Sequence, residues 1–298
     1  MNGITYSIII PHKNCPDLLQ RCINSIPRRN DVQIIVVDDN SDDNKKPTLV
    51  RDDLEVILLD EKQSKGAGRA RNIGLSKALG KWLLFSDADD YFSEDLPKLL
   101  DKYRADDITD IVYLNARTFN ENGDIGVFKT DILIKKYLQE KKSSEMRLRY
   151  ELWTPWSRMV KREIVEKNKI LFDEVPATND KMFCLQCSFF SKVIKAEETF
   201  VYNYYRPTKG SITDKQRDSK MLDELLDIRR RTIELYKKAG YKELPSFWAV
   251  LYRTPYVAEL TESEILKKYK GILCKSKTSL IVDQVRFFKK KLNAKFSE

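Results

Sequence analysis

Three carboxylates lie close together where the apolar run of the segment KWLLFSDADDYF ends: Asp87, Asp89 and Asp90. Because neighbouring negative charges repel one another, such a group after a buried strand calls for a compensating positive charge. Acids before the first turn of a helix are stabilising, which accounts for Asp90 ahead of a helix expected at Ser93, but less well for the other two. Mg²⁺ or Mn²⁺ binds one or two carboxylates and completes its shell with water and substrate phosphates. The segment therefore predicts a divalent metal that holds a diphosphate.

Two further polar groups follow apolar runs. Asp38 and Asp39 end the run VQIIVVD, where they either form an Asx turn or accept hydrogen bonds from a nucleotide base. The segment KGAGRARN combines glycines, which allow close backbone approach, with Arg69 and Arg71 at a helix start, and this combination attracts phosphate. The alternative is an ordinary capped helix with a solvated basic face, and the residues alone do not separate the two interpretations.

The elements that must position these groups alternate between strand and helix. Apolar runs and helical periodicity predict strands at 4–10, 32–38, 54–60, 81–87 and 110–116, helices at 15–26, 66–79 and 93–104, and a short helix from about Pro47. This alternation indicates an α/β fold with a parallel, doubly wound sheet. Ligands of such sheets bind beyond the carboxyl ends of the strands. The polar groups after the first, second and fourth strands are therefore expected to meet there.

The pattern changes after about residue 117. A hairpin is expected around Asn122 and Gly123, a helix over TNDKMFCLQCSFF, two short strands within KVIKAEETFVYNYYR and an amphipathic helix at 217–239. The remaining residues indicate lysine-rich helix. The predicted organisation is one domain at 1–212, with halves at 1–116 and 117–212, and a helical C-terminal region at 213–298.

Composition narrows the class of protein. The chain of 298 residues is 42% hydrophobic and carries a net charge of +9, which is typical of a globular protein with phosphate-bearing partners. No apolar run is long enough to span a bilayer and the N-terminus reads as a strand, so a cytoplasmic protein without a signal peptide is expected. Five cysteines do not suggest a disulfide framework. Cys184 and Cys187 form a CxxC without a second pair, and His12 is the only histidine, so both thiols are expected to face a helix core.

The motifs SIIIPHKN, IIVVDDNSDD, KGAGRARNIGL and WLLFSDADDYF, in this order and spacing, resemble the nucleotide-binding half of a family 2 glycosyltransferase. The resemblance is close from residue 4 to about 115 and looser through 152–183 and 202–213. It implies the GT-A fold, a mostly parallel Rossmann-like sheet with helices on both faces. It also implies an inverting enzyme that moves a sugar from a nucleotide diphosphate sugar, with UDP-sugar as the expected donor. The implied acceptor is a glycan or a lipid-linked sugar in surface polysaccharide synthesis.

The resemblance also implies roles for individual residues. Asp180 is the expected general base, which removes the proton of the acceptor hydroxyl and contributes about 10²–10⁴-fold to the rate. Asp89 is the expected ligand of Mn²⁺ or Mg²⁺, which stabilises the departing diphosphate. The implied donor contacts are Pro11 and Asn14 under the base, Asp39 at the uracil edge, Arg71 near the base or phosphates, Asp87 at the ribose or metal shell, and Arg206, Lys209 or Ser211 at the diphosphate.

Three positions depart from the family pattern. Lys13 stands where an aromatic residue is usual, the C-terminal half offers no histidine to the metal, and Asn179 replaces the acid that usually precedes the base. Asp180 also has an alternative interpretation as a helix cap, although Thr178 or Asn179 would serve that purpose as well.

Two further features concern the acceptor. Trp153 and Trp156 lie in the segment that resembles the acceptor half, where indole rings stack on sugars; packing in the core or at its rim is the alternative. The lysine-rich tail 276–298 places apolar residues near one helical face. Such a helix either lies at an anionic membrane, here the inner face of the cell membrane, or docks on the domain with a solvated basic face.

Two other classes of protein fit less well. A nucleotidyltransferase acting on a sugar phosphate also combines a parallel sheet with an acidic metal site, but PHKNCPDLL lacks the glycine-rich basic loop usual after its first strand. A nucleic-acid-binding protein needs a basic stripe with interleaved aromatic residues. The basic residues here are dispersed among acids, so no nucleic-acid partner is expected.

Overall fold

The computed structural model describes residues 3–206 and 219–242, and the chain divides into two compact units, Met1–Ser211 and Ile212–Glu298. The strands of the first unit are β1 (Tyr6–His12), β2 (Val32–Asp38), β3 (Glu55–Leu58), β4 (Trp82–Phe85), β5 (Tyr91–Phe92), β6 (Ile111–Phe119), β7 (Ile125–Val127), β8 (Arg158–Lys161) and β9 (Ile194–Tyr205). Its α-helices are α1 (Pro16–Asn24), α2 (Ala67–Lys77), α3 (Leu96–Tyr103), α4 (Lys129–Gln139), α5 (Lys141–Glu151), α6 (Arg162–Lys167) and α7 (Lys181–Phe190). The second unit contains α8 (Ser219–Lys238).

The strands of the first unit form one sheet in the order β3-β2-β1-β4-β8-β6-β9-β5, with β7 paired to β6. The first four strands in this order are parallel. Strand β8 lies between β4 and β6 and runs antiparallel to both, whereas β6 and β9 are parallel. Because β2 and β4 lie on opposite sides of β1, the strand order reverses there, which is where α/β sheets bind ligands. The predicted α/β fold is confirmed.

Apolar side chains cover both faces of the sheet because successive residues of its strands point to opposite sides. In β1, Ile8 and Ile10 join a core with α1 and α3, whereas Ile9 joins a second core with α2, α4 and α7. Cys184 and Cys187 are fully buried in the second core, which confirms that the CxxC faces the protein interior. Helices therefore cover both faces, as predicted.

One predicted helix is wrong. Instead of a helix from Pro47, the chain forms a 3₁₀ turn at Asp43–Lys45 and then runs irregularly to β3. Arg51 explains this course, because its guanidinium donates to the carbonyls of Ile23 at 2.8 Å and Ile26 at 2.6 Å. Carbonyls at and beyond a helix end lack helical partners. This segment therefore supplies a side-chain donor at the end of α1, in addition to the N–H of Ile26 that the carbonyl of Ile23 already accepts, and the contact holds the segment in its irregular course.

The two short strands expected within 192–206 are also wrong, since this segment forms the single strand β9. Its pairing with β6 shifts register near Asn115 without a turn. Asn115 is buried there and donates to the carbonyl of Glu198 at 2.9 Å, which satisfies a group that the irregular ladder leaves open. The hairpin of β6 and β7 is confirmed: Gly123 has φ of 82° and its N–H donates to the carbonyl of Asn120 at 3.1 Å.

In the second unit, α8 confirms the helix predicted at 217–239. Within residues 3–206 and 219–242, every helix is too short or too polar to cross a membrane. The tail 276–298 lies outside the described residues, as do Lys209 and Ser211, so what the sequence predicts for them stays a prediction.

Candidate active site

Buried polar contacts join the loops that follow β1 and β2. Nδ1 of His12 lies 2.6 Å from Oδ1 of Asp38, and Nε2 of the same ring accepts the N–H of Cys15 at 3.2 Å, so the imidazole donates from Nδ1 to the carboxylate. Asp38 also accepts the N–H and the hydroxyl of Ser41, at 3.0 and 2.5 Å. Asp38 is fully buried. Asp38 therefore shapes a turn, which is the first of the two roles that the sequence suggests, and not the binding of a nucleotide base.

Pro11 and Asn14, predicted to lie under a base, have different surroundings. Pro11 lies inside β1, whose pairing with β2 continues to His12, so the strand does not end at Pro11 as expected. Asn14 adopts a left-handed φ of 58°, which asparagine tolerates better than most residues. Its N–H donates to the hydroxyl of Ser41 at 2.8 Å, and its side chain accepts the N–H of Asp42 at 2.8 Å. Asn14 thus shapes the first loop by tying it to the second.

Asp39 faces the start of α2. Its carboxylate accepts the N–H groups of Lys65 at 3.2 Å and Gly66 at 3.0 Å. Arg69, on the same helix, pairs with Glu174 at 3.1 Å. The amides and this arginine of KGAGRARN are thus engaged by carboxylates of the protein, which favours the structural interpretation of that segment over phosphate binding.

Arg71 connects the loop after β4 (residues 86–90, here called the acidic loop) to the segment before α7. One terminal nitrogen lies 2.6 Å from Oδ1 of Asp87, and the other lies 2.9 Å from Oδ1 of Asn179. The guanidinium also stands over the ring of Phe172, at 5.4 Å from its centroid. Arg71 is buried, and these contacts compensate the cost of burying its charge. At the position where the family pattern has an acid, a neutral amide meets the guanidinium.

The segment before α7 lies directly on α2 because α2 has a glycine at the point of contact. A Cβ at Gly68 would lie 2.0 Å from the carbonyl oxygen of Asp173 and 3.2 Å from Cβ of Asn179. The close approach expected of this glycine is therefore to the protein's own backbone. Thr178 has φ of 61°, a conformation that costs a β-branched residue about 1–3 kcal/mol. Packing against α2 thus holds a strained segment that ends at Asp180.

Asp90 fastens β9 to the acidic loop. It is fully buried, and it accepts the hydroxyl of Tyr202 and the N–H of Tyr205, each at 2.7 Å. Burial, together with the negative charges of Asp87 and Asp89, raises the pKa of Asp90 well above its ordinary value. The helix-start interpretation does not describe this residue, since α3 begins later in the chain.

The hydroxyl of Tyr202 joins three groups of the same loop. It donates to Asp90, accepts the N–H of Asp87 at 3.0 Å and lies 3.1 Å from the hydroxyl of Ser86. Trp156 stacks on the ring, with centroids 4.9 Å apart and planes inclined by 8°. Trp156 is buried and belongs to the core, the alternative that the sequence left open for it.

The carboxylate of Asp89 fits a divalent cation. Burial and the negative charge of Asp87 raise the pKa of Asp89 to about 6, so the protein compensates its anionic form poorly. Arg21 contacts Asp89 through the backbone carbonyl, at 2.6 Å, and not through the carboxylate. No group of three or more ligating side chains occurs within 3–206 and 219–242. One carboxylate suits Mg²⁺ or Mn²⁺ when water and phosphate oxygens complete the shell.

Asp180 stands at the N-terminal end of α7, but its side chain makes no capping hydrogen bond to that helix. Burial raises the pKa of Asp180; the positive charge of Arg71 opposes this shift, and the charge of Asp87 adds to it. A raised pKa brings a carboxylate closer to the range in which a general base works best. The end of β4, α2 and α7 thus place Asp87, Arg71 and Asp180 in one electrostatic environment.

The remaining predicted residues lie at the edges of this group. Arg206 is exposed at the end of β9, where its N–H donates to the carbonyl of Phe119 at 2.8 Å. Trp153 is half-buried, and Nζ of Lys181 stands 4.7 Å from its ring centroid, next in the chain to Asp180. Trp153 is therefore the one of the two tryptophans that a ligand could reach.

Sequence reasoning missed two residues of this site, Arg21 and Tyr202. Arg21 immediately precedes Cys22, which belongs to the buried face of α1. A charged residue next to that face was the only sequence feature that could have indicated a role for Arg21. Tyr202 lies among several aromatic residues of β9, and its spacing does not distinguish its hydroxyl from theirs.

This sheet order, with an acidic loop after β4 facing a second carboxylate at the start of α7, defines a GT-A glycosyltransferase fold. The family described as glycosyl transferase family 2 matches residues 7–168, which is more than half of the chain. The chain belongs to that family and is a glycosyltransferase.

Several known proteins are similar to this chain. The uncharacterized glycosyltransferase EpsJ of Bacillus subtilis is 25% identical over 246 residues, which are 78% of this chain and 70% of EpsJ. The poly(ribitol-phosphate) beta-glucosyltransferase of Bacillus spizizenii is 26% identical over 207 residues, which are 66% of this chain but only 32% of that protein.

Two solved structures share the fold. TarS 1–349 of S. aureus in complex with UDP-GlcNAc has a TM-score of 0.64 at 20% identity, over 90% of this chain and 73% of that one. The mannosyltransferase PcManGT of Pyrobaculum calidifontis, in complex with GDP-Man and Mn²⁺, has a TM-score of 0.53 at 16% identity, over 95% of this chain and 79% of that one.

Proposed function

We propose that this protein transfers a sugar, with inversion, from a UDP-sugar to a glycan or lipid-linked acceptor during synthesis of a surface polymer. The bridge made by Arg71 carries the proposal, because it joins the acidic loop at Asp87 to the segment that ends at Asp180. A donor diphosphate at the loop would then lie beside the carboxylate that activates the acceptor. The complex of TarS with UDP-GlcNAc supports the donor class, and the relative that acts on poly(ribitol-phosphate) supports a polymeric acceptor.

The donor base would lie between the loops after β1 and β2. A carboxylate offers about four acceptor positions. Asp39 uses two of them for the N–H groups of Lys65 and Gly66, so it could still accept an N–H of uracil. Pro11 and Asn14 would form the floor under the base, and Asp87, held by Arg71, would face the ribose.

Asp89 would hold Mn²⁺ or Mg²⁺ at the diphosphate. When bound, the metal neutralises the charge that the leaving group acquires. The raised pKa of Asp89 supports this assignment, because the carboxylate lacks sufficient positive charge from the protein. Arg206, at the end of β9, would approach the same diphosphate.

Asp180 would act on the acceptor. Its carboxylate takes the proton of the acceptor hydroxyl, whose oxygen forms a bond to the anomeric carbon. The bond from that carbon to the diphosphate breaks on the opposite side, and the diphosphate leaves with the electron pair. Arg71 would stand between the two carboxylates, since it pairs with Asp87 and its positive charge opposes the rise in the pKa of Asp180 that burial causes. Trp153 would face the acceptor sugar.

Nucleotide binding tests the proposal. Melting temperatures of the wild type, Asp89→Ala and Asp180→Asn are measured with UDP, GDP, dTDP and CMP, each with and without Mn²⁺. We expect UDP with Mn²⁺ to stabilise the wild type, Asp89→Ala to lose the metal-dependent part, and Asp180→Asn to keep all of it. Asp180→Asn should nevertheless lose sugar transfer in a subsequent screen of UDP-sugars. If no nucleotide stabilises the wild type with or without metal, the proposed donor site is wrong.

A further inference from the structure

Arg21 of α1 reaches the acidic loop although the two are distant in the chain. Its Nη2 donates to the backbone carbonyl of Asp89 at 2.6 Å. One turn further along the same face of the chain, the hydroxyl of Ser25 accepts the N–H of Phe92 at 2.9 Å. The chain around α1 therefore holds the loop at two points, one on each side of Asp90.

The guanidinium of Arg21 lies in an aromatic cage. Its central carbon, Cζ, is 5.2 Å from the ring centroid of Tyr91, 5.0 Å from that of Phe119 and 5.8 Å from that of Tyr205. Such contacts stabilise a cation without a carboxylate partner. Nε is buried and has no hydrogen-bond partner among the described residues. The cage, rather than an acid, thus holds the cation where it meets the carbonyl of Asp89.

The contact of Arg21 with the backbone of Asp89 also affects the Asp89 side chain. When the carbonyl of Asp89 is held, the peptide plane between Asp89 and Asp90 is held with it, because that plane is rigid. Asp90 is fixed from the other side by Tyr202 and Tyr205. The backbone on the C-terminal side of Asp89 is therefore held in place, which restricts the directions that the Asp89 carboxylate can take.

The cage also includes the end of β9. The ring of Tyr205 covers the guanidinium, its N–H donates to Asp90 at 2.7 Å, and Arg206 follows it directly. One cation therefore aligns two groups that come from different parts of the chain, the carboxylate of Asp89 and the strand end that carries Arg206.

We propose that Arg21 is a positioning residue of the metal and diphosphate site, which directs the Asp89 carboxylate toward a divalent cation while touching neither metal nor substrate. The inference rests on the proposed role of Asp89 as the metal ligand. Residues that orient a metal ligand typically change metal affinity by about 10–100-fold when removed.

The test is a titration of the full chain with Mn²⁺ in the presence of UDP, in which free Mn²⁺ is measured by its paramagnetic resonance signal. Arg21→Met keeps the apolar stem but removes the donor and the charge, whereas Arg21→Lys keeps the charge and one donor. Arg28→Met is the matched control, because Arg28 lies just beyond α1, is exposed and pairs at the surface with Asp52 at 3.1 Å and Asp53 at 3.6 Å.

We expect Arg21→Met to raise the dissociation constant of Mn²⁺ by about 10–100-fold. Arg21→Lys should recover part of this loss, and Arg28→Met should match the wild type in the binding of Mn²⁺ and of UDP without metal. The partial recovery matters because a general loss of packing would not depend on a positive charge in the cage.

Wild-type Mn²⁺ affinity in Arg21→Met, with affinity lost in Asp89→Ala, overturns the role of Arg21 and leaves the metal assignment intact. Wild-type affinity in Asp89→Ala overturns the metal assignment and this inference together. If Arg21→Met does not fold, Arg21→Lys decides the question: Mn²⁺ affinity between those of the wild type and Asp89→Ala supports the role of Arg21, whereas wild-type affinity overturns it, because lysine lacks the planar guanidinium that the three rings hold against the carbonyl of Asp89.

Discussion

Replacing Tyr202 with phenylalanine removes a single oxygen atom from the candidate active site. That oxygen accepts the N–H of Asp87 at 3.0 Å, donates to Asp90 at 2.7 Å and lies 3.1 Å from the hydroxyl of Ser86. The ring itself would stay in place, because Trp156 stacks on it and the residue is fully buried. The substitution therefore isolates the hydrogen bonds from the packing.

The expected change in the free energy of unfolding follows from the polar groups that lose the Tyr202 hydroxyl as a partner. A buried polar group without a partner costs about 1–3 kcal/mol. Asp87 and Asp90 each lose a partner, whereas Ser86 keeps a contact with the thiol of Cys22 at 3.3 Å. Two such losses, reduced by local relaxation, should lower the free energy of unfolding by about 3 kcal/mol. For a unit of this size the melting temperature should then fall by about 6–12 °C.

The assay is thermal unfolding without ligand, with Tyr113→Phe as the control. Tyr113 is also fully buried, but its hydroxyl meets the neutral hydroxyl of Ser188 at 2.9 Å, so its loss should cost about 1 kcal/mol, or about 2–4 °C. Amide hydrogen exchange at Asp87 should accelerate in Tyr202→Phe and not in the control. Equal melting temperatures in the two variants, or unchanged exchange at Asp87, would refute the reasoning.

Two other predictions concern the base and the metal. Gly68→Ala should lower the rate of sugar transfer by about 100-fold, because a shift of about 1 Å in the segment that ends at Asp180 is enough to misplace a reacting group. In Gly74→Ala the new Cβ would lie 2.4 Å from Cγ2 of Ile9 in β1, so this variant should lose stability but keep the rate; equal rate losses would implicate stability alone. Mn²⁺ affinity should increase as the pH rises through about 6, because protons compete with the metal below the pKa of Asp89. An affinity that does not change with pH in that range would exclude Asp89 as the ligand.

Local sequence patterns were sufficient to predict the strands of the parallel half of the sheet. A central parallel strand is buried on both faces, so its sequence is a continuous apolar run, and VQIIVVD predicted β2 with its observed bounds. The same patterns failed at Pro47, because the contact of Arg51 with the end of α1 decides the course of that segment. They also failed in β9, where pairing with β6 continues through an irregularity.

The sequence by itself determined the alternation of strands and helices from β1 to β4, the family resemblance and the acids at the strand ends. Only the tertiary structure decided what each polar group meets. Arg71 and Asn179 are 108 residues apart, and no local pattern relates them. Asp90 and Asp89 are adjacent and chemically identical, yet β9 binds the carboxylate of Asp90, whereas burial and the charge of Asp87 raise the pKa of Asp89 to about 6. The physical reason is that a buried charge must be compensated by whichever partner the fold brings within a few ångströms, and that partner is set by long-range packing.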